Sequence, residues 1–453
     1  MAGHRRLVIV GADAAGMSAA AEARRADPEL VIVAVDRGGF AAYSQCGLPY
    51  LVGGVVADRR SLIARTVEEF AQRGIAVRLG HEALAINPRA RTLRVRELST
   101  GAEYDEPFDA LLVATGATPR RLATPGLDLA GVFNLDVMED AIAIQAFIAR
   151  ERPRRAMVVG GGYIGLEMAE NLRRLEIEVR LVQRGPQLFT SADLEMTQPI
   201  NAELERHGID LSLRDSVLEA CEGRDGRIAA LQTSSGEVET DLVILAVGVE
   251  PASGLAAAAG ARLGAAGAIA VDAQLRTSLP DVYAAGDCAE HFHRVLGLPA
   301  WIPLGTTANK QGRIAGRNMA GGDERFAGIV GSAITRVFEL GVGRTGLSER
   351  EAAAAGLEAV AHTLASTDFA GYLPDARQLS VKLVAERGSG RLLGGQVVGY
   401  GGVDKRVDVL ATALYAGLTV EDLPRLDLEY APPFNSVWDP IQAAATAMLR
   451  RGL

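Results

Sequence analysis

The 453-residue sequence predicts an α/β fold with two Rossmann-type dinucleotide-binding units, followed by a segment of different character. Two observations carry this. Twice, a short apolar run leads at once into a glycine-spaced turn, a helical stretch and a further apolar run. Glycine is also abundant (51 residues) against 5% aromatics, as a chain with many tight strand-to-helix turns requires.

In the first unit, Leu7–Val10 reads as a buried parallel strand and Gly11-Ala12-Asp13-Ala14-Ala15-Gly16 as the turn. Met17 to Arg25 reads as a helix, and Leu30–Val35 as a second strand ending in Asp36. Gly11 makes the tight turn, Gly16 allows close helix packing, and the helix N-terminus faces a pyrophosphate. Asp36 stands where a carboxylate accepts a ribose hydroxyl. Asp13 occupies the place of the middle glycine, which weakens the fingerprint.

The second unit is intact. Ala156–Val159 precedes Gly160-Gly161-Gly162-Tyr163-Ile164-Gly165, a helix runs through Arg174, and the strand Val179–Val182 ends at Gln183-Arg184. An NADH site wants an acid there, whereas an arginine accommodates a 2′-phosphate, so the pair favours NADPH over NADH. Leu111–Ala114 with Thr115-Gly116 closes the first unit, and Asp241–Val247 with Gly248 the second. Two units mean two nucleotides, a flavin in the first and a nicotinamide in the second.

Composition narrows the class. Net charge is −9 with no basic block, which argues against nucleic acid. No run of about 18 apolar residues reads as a membrane span, and the N-terminus has no apolar leader with a cleavage site. The length predicts about three domains of roughly 150 residues. Three cysteines, Cys46, Cys221 and Cys288, make no disulfide framework and fit a reducing cytoplasm. His291 and His293 alternate without a third ligand and read as surface residues, so no metal is predicted.

The stretch Tyr43–Gly54 places Cys46 directly before Gly47-Leu48-Pro49. Proline suits the first turn of a helix, so Cys46 is expected at a helix N-terminus, where the dipole lowers a thiol pKa. Cys288, next to Asp287, reads as a small buried residue.

Ala114-Thr115-Gly116 and Thr277–Asp287 (TSLPDVYAAGD), in order with the two glycine turns, resemble the FAD signatures of the pyridine nucleotide-disulfide oxidoreductases. The resemblance implies a glutathione reductase-like fold. Residues 1–120 and 250–326 would form a discontinuous FAD-binding domain, 121–249 an NAD(P)H-binding domain, and 327–453 an α+β dimerisation domain. Ser332–Leu347 and Gly401–Leu414 resemble that last domain. It further implies that Ala15, Arg37, Ala83, Gly286, Asp287, Gly305, Thr306 and Thr307 join Gly11, Gly16 and Asp36 at FAD. Tyr163, Ile164 and Glu167 would join Gly160, Gly162 and Gly165 at the nicotinamide nucleotide.

Cys46 has no partner cysteine, and Cys-Gly-Leu-Pro-Tyr at Cys46–Tyr50 resembles the coenzyme A disulfide reductases and NAD(P)H-dependent persulfide reductases. The NADH oxidase branch carries histidine where this chain has Ala14. Many persulfide reductases append a rhodanese domain, for which the sequence to Leu453 leaves no room, so CoA disulfide reduction is favoured. NAD(P)H-dependent persulfide or polysulfide reduction, and an oxidase or redox sensor, are the alternatives. The resemblance implies a cycle through a Cys46–S–S–CoA mixed disulfide in a homodimer, with Tyr372 and Tyr430 (in Tyr430-Ala431-Pro432-Pro433) reaching the partner's active site. Ser18, Arg25, Gln45, Arg73 and Asn309 would line the CoA path. One departure is Ala42, where the family has serine.

Overall fold

The computed structural model describes residues 5–452; His4 and Leu453 lie outside the described residues. Arg6–Val10, Val31–Asp36, Ile75–Leu79, Ala110–Val113 and Val282–Ala284 form a parallel sheet, with Val282–Ala284 at one edge and Ile75–Leu79 at the other. Its inner strands are continuous apolar runs because helices and loops cover both faces. The helix after the first turn spans Ala14–Ala26, starting earlier than the apolar pattern indicates. Its first turn is made of the small residues Ala14, Ala15 and Gly16, which carry little periodic signal.

The second parallel sheet runs in the order Asp210–Leu213, Glu178–Gln183, Arg155–Val159, Leu242–Leu245, Val132–Asn134. The chain leaves the first sheet after Ala110–Val113, builds the second, and returns through Val282–Ala284, which pairs Val282 with Leu111. An antiparallel ribbon of Ala117–Pro119 and Val249–Pro251 ties the outgoing and returning segments together. The third sheet is antiparallel, from Ala333–Val337 to Ala359–Thr367, and packs on the helices Val403–Ala416 and Pro440–Arg450. Gly343 lies so close to Val407 that a Cβ there would overlap its side chain.

A short helix, Leu48–Val52, joins the first two units. Five residues cannot hold a helix in water on their own. Leu48, Leu51 and Val52 are instead buried in one apolar cluster with Ile144, Leu166 and Leu172 of the second unit, each contributing about 2 kcal/mol. Gln145 Nε2 donates to the Leu51 carbonyl at 2.7 Å, and Gly53 packs directly on Asn171. The segment after Cys46 therefore belongs to the first unit in sequence and to the second in packing.

Candidate active site at the junction of the two nucleotide units

The two glycine turns are built alike. Gly11 has φ +105° and Gly160 φ +106°, values open to glycine and costly for other residues. A Cβ at Gly16 would overlap the Gly11 carbonyl, and one at Gly165 the Gly160 carbonyl. The helices Ala14–Ala26 and Tyr163–Arg174 begin with no side-chain cap and no acid in the first turn, so their leading N–H groups are left for an anion. Ala15, Tyr163 and Ile164 stand in those first turns. At the middle position Gly162 has no atom within reach of a Cβ, and φ is −86°. Asp13, with φ −114°, occupies the matching place without steric conflict. The departure in the first motif is sterically permitted by the fold.

The residue ending the second strand of each unit braces its own glycine turn. Asp36 accepts from Ala12 N–H at 2.7 Å and from Gly38 N–H at 2.7 Å. Gln183 Oε1 accepts from Gly161 N–H at 3.1 Å, the same bond made by an uncharged group. These oriented donors and braced loops fit a diphosphate at each turn.

Elsewhere around the first cradle, Thr115 Oγ1 donates to the Ala252 carbonyl, and Gly116 and Gly286 have positive φ, as does Gly248 beside the second cradle. Gly286 N–H donates to the buried Gln311. Asp287 is pushed up to about 6 by burial, partly offset by a bond from the Leu304 backbone. Gly305, Thr306 and Thr307 open the helix Gly305–Met319. Arg37 is exposed, and Ala83 lies half-buried in the strand His81–Asn87. Asp13 accepts from the Tyr43 N–H at 3.2 Å and is pushed up to about 7, mainly by burial and then by Asp36 and Asp287.

Cys46 sits in a 3₁₀ turn, Gln45–Gly47, ahead of the short helix, and is the exposed one of the three free cysteines. Its pKa is raised, not lowered as the helix position predicts. Protein packed around the accessible sulfur desolvates it, and the carboxyls of Glu167, Asp287 and Asp13 oppose a thiolate. A five-residue helix has too small a dipole to outweigh them. Glu167 reaches this place from the second unit; burial pushes it up to about 7, and Thr335 Oγ1 donates to it at 3.3 Å. Cys288 is buried, with its Sγ near the Val113 and Ala285 carbonyls, while Cys221 is half-buried in the strand Val217–Glu222.

The predicted CoA-path residues are spread over three places. Asn309 Nδ2 donates to Ser18 Oγ at 2.8 Å, between the helices Gly305–Met319 and Ala14–Ala26. Arg25 is on the same helix as Ser18 but pairs with Glu22. Arg313 and Arg317, which the sequence did not single out, also approach the buried Glu22 and make this groove cationic; their helical spacing from Asn309 is the signal that could have found them. Gln45 bonds the Asp136 backbone, and Arg73 is exposed with no side-chain partner among the described residues.

Tyr372 and Tyr430 are 73% and 48% exposed and lie side by side, close enough for Tyr430 to raise the Tyr372 pKa. Phe434, Val437 and Trp438 beside Tyr430 in sequence are also exposed. Buried Arg406 bonds Asp439 and Asn435 and so pins the segment that follows Tyr430.

His291 and His293 are buried, contrary to the surface positions expected of them. His291 Nε2 accepts from Ile302 N–H at 2.8 Å, and His293 Nδ1 from Leu296 N–H at 3.3 Å, so both act as neutral braces of a loop. Among the described residues no group of three or more His, Cys, Asp or Glu side chains is placed to hold a metal ion. No described helix is long and apolar enough to cross a membrane.

Two dinucleotide cradles with one exposed thiol where they meet define an oxidoreductase of the two-nucleotide, sulfur-linked class. The chain belongs to the pyridine nucleotide-disulphide oxidoreductase family: the family profile matches residues 5–312, and the profile of the family's dimerisation domain matches 332–440. This family works with FAD and NAD(P)H. The chain is 36% identical to the NAD(P)H coenzyme A polysulfide/persulfide reductase of Pyrococcus horikoshii, over 98% of both chains. It is 32% identical to the coenzyme A disulfide reductase of Staphylococcus aureus, over 96% of this chain and 98% of that one. The crystal structure of reduced Bacillus anthracis CoADR-RHD superposes with a TM-score of 0.95 at 38% identity, covering 99% of this chain and 80% of that one.

Proposed function

We propose that this protein is an FAD-dependent NAD(P)H:disulfide oxidoreductase that reduces CoA disulfide through the single thiol Cys46. The carrying observation is that Cys46, the exposed cysteine, stands among groups from both units, with Glu167 contributed by the second. Cys46, Cys221 and Cys288 are all free, so the structure holds no internal disulfide at this thiol. Likeness to the Staphylococcus aureus enzyme supports the substrate.

FAD, when bound, supplies a two-electron link between the nicotinamide and the sulfur. The Cys46 thiolate attacks one sulfur of CoA disulfide, forming Cys46–S–S–CoA as the substrate S–S bond breaks and one CoA thiol leaves with a proton. Two electrons and a proton from NAD(P)H then cleave the mixed disulfide, release the second CoA thiol and restore the thiolate. Burial first, and then the carboxyls of Glu167, Asp287 and Asp13, raise the thiol pKa, and Glu167 and Asp13, both near 7, are the groups that can hold the proton. Ser18, Asn309 and the cationic groove beside them suit the phosphates of CoA. The residue ranges 1–120 with 250–326, 121–249 and 327–453 serve as the FAD, NAD(P)H and dimerisation domains.

NADPH is the favoured donor, because Gln183 braces its turn without the negative charge that would repel a 2′-phosphate. Tyr372 and Tyr430 complete the active site of the partner in a homodimer; their exposure and their place beside other exposed apolar residues support this. A phenol protonated at neutral pH donates to a leaving thiolate. Three unpaired cysteines support a cytoplasmic location.

The likeness to the Pyrococcus horikoshii enzyme favours one alternative, in which CoA persulfide is the substrate of the same thiol. Anaerobic NADPH consumption by the purified flavoprotein separates the two. Saturable turnover with CoA disulfide, abolished in Cys46→Ser, supports the main proposal. Turnover with persulfide alone selects the alternative, and consumption only on admitting air overturns both.

A further inference from the structure

Adjacent parallel strands bring two loops together beside the second cradle. Gln183 pairs with Leu213 in register. Beyond the strand ends, Asp215 N–H donates to the Gln183 carbonyl at 3.1 Å, and Arg214 N–H donates to the Gly185 carbonyl at 3.0 Å. Arg184 and Arg214 therefore flank one seam at the carboxyl ends of the strands, the edge where open α/β sheets bind ligands.

Both arginines are exposed, and neither guanidinium has a hydrogen-bond or ion-pair partner among the described residues. Other arginines of this unit are engaged: Arg180 with Asp210, Arg174 with Glu170, Arg206 with Glu203. Arg214 also keeps φ at +55°, a left-handed conformation that few non-glycine residues adopt. The neighbouring carboxylate, Asp215, is buried and committed to Ser234 Oγ at 2.8 Å and Ser235 N–H at 3.1 Å.

Resting on the NADPH reading above, we propose that Arg214 is a second specificity determinant for the nicotinamide nucleotide, pairing with Arg184 to clamp the 2′-phosphate. A phosphomonoester carries close to two negative charges at neutral pH, and two guanidinium groups can each present a paired set of donors to it. A ribose 2′-hydroxyl offers neither charge nor the acceptors that this clamp needs. Gln183, neutral and with its oxygen already bonded to Gly161, leaves amide donors and no repulsion.

The test is calorimetric titration of the flavin-loaded protein with 2′,5′-ADP and with 5′-AMP, which reads binding without turnover. The unsubstituted protein is expected to prefer 2′,5′-ADP, and Arg214→Ala and Arg184→Ala should each reduce that preference about tenfold. Preference retained in Arg214→Ala but lost in Arg184→Ala overturns the role of Arg214 and leaves the NADPH reading standing. Equal binding of the two probes by the unsubstituted protein overturns the NADPH reading itself, and the clamp with it.

Discussion

Asn309 Nδ2 lies 2.8 Å from Ser18 Oγ, joining side chains 291 positions apart in sequence. The bond exists because the helices Ala14–Ala26 and Gly305–Met319 touch through small residues. Gly312 rests on the Ala15 backbone and Gly316 on the Ala19 backbone, so closely that a Cβ at either glycine would overlap a carbonyl oxygen. Backbone contact at two successive turns brings the polar faces of the helices within hydrogen-bond reach.

Gly316→Val should force these helices apart. Overpacking of this kind costs about 1–3 kcal/mol, visible as a lower urea midpoint and faster FAD release on warming. An unchanged midpoint would mean that the helix contact is not close-packed in solution.

Asn309→Asp should raise KM for CoA disulfide about tenfold, with a small effect on kcat, because it replaces a donor by a carboxylate in a groove suited to phosphates. Ser18→Ala should act in the same direction but more weakly. If KM for CoA disulfide is unmoved in both while Cys46→Ser abolishes turnover, the CoA path lies elsewhere.

Glu167→Gln should lower the Cys46 pKa, since Glu167 is the carboxyl that opposes the thiolate most. Alkylation by iodoacetamide, followed against pH in the absence of NAD(P)H, should shift its midpoint downward. A midpoint that stays in place or rises would show that Glu167 does not act on the thiol and that burial, with Asp287 and Asp13, sets it.

His291 and His293 should make the fold acid-sensitive. Burial holds each at about 4, with His293 adding to the effect on His291 and Arg344 to that on His293. An unfolded imidazole takes its proton near 6.5, so between pH 6.5 and 4 the unfolded chain binds more protons than the folded one. Their stabilising effect is complete above pH 6.5 and declines as pH falls to 4, by roughly 3 kcal/mol per imidazole. The urea midpoint should drop from pH 7.5 to pH 5 and drop less in His291→Gln/His293→Gln; identical pH dependence in both proteins would dismiss the histidines as its source.

Short-range patterns were enough for the nucleotide cradles. Gly11, Gly16, Gly160 and Gly165 announce themselves because positive φ and backbone contact admit one residue type, and Asp36 and Gln183 follow at a spacing set by one helix and one strand. Cys46 was legible through its neighbours, but its titration was not. The helix rule predicts a lowered pKa, whereas the carboxyls that raise it arrive from Glu167 and Asp287, 121 and 241 positions away. His291 and His293 were misplaced for a related reason: an alternating polar pair looks the same in sequence whether it faces water or a closed loop.

By itself, then, the sequence determined two nucleotide-binding units, their order and the thiol between them, since each follows from the conformational limits of a few consecutive residues. Only the tertiary structure decided which charges surround that thiol, which helices meet at Ser18 and Asn309, and which arginines stand without partners. Those are sums over groups distant in the chain, and burial and Coulomb interactions depend on distance through space, which no local spacing encodes.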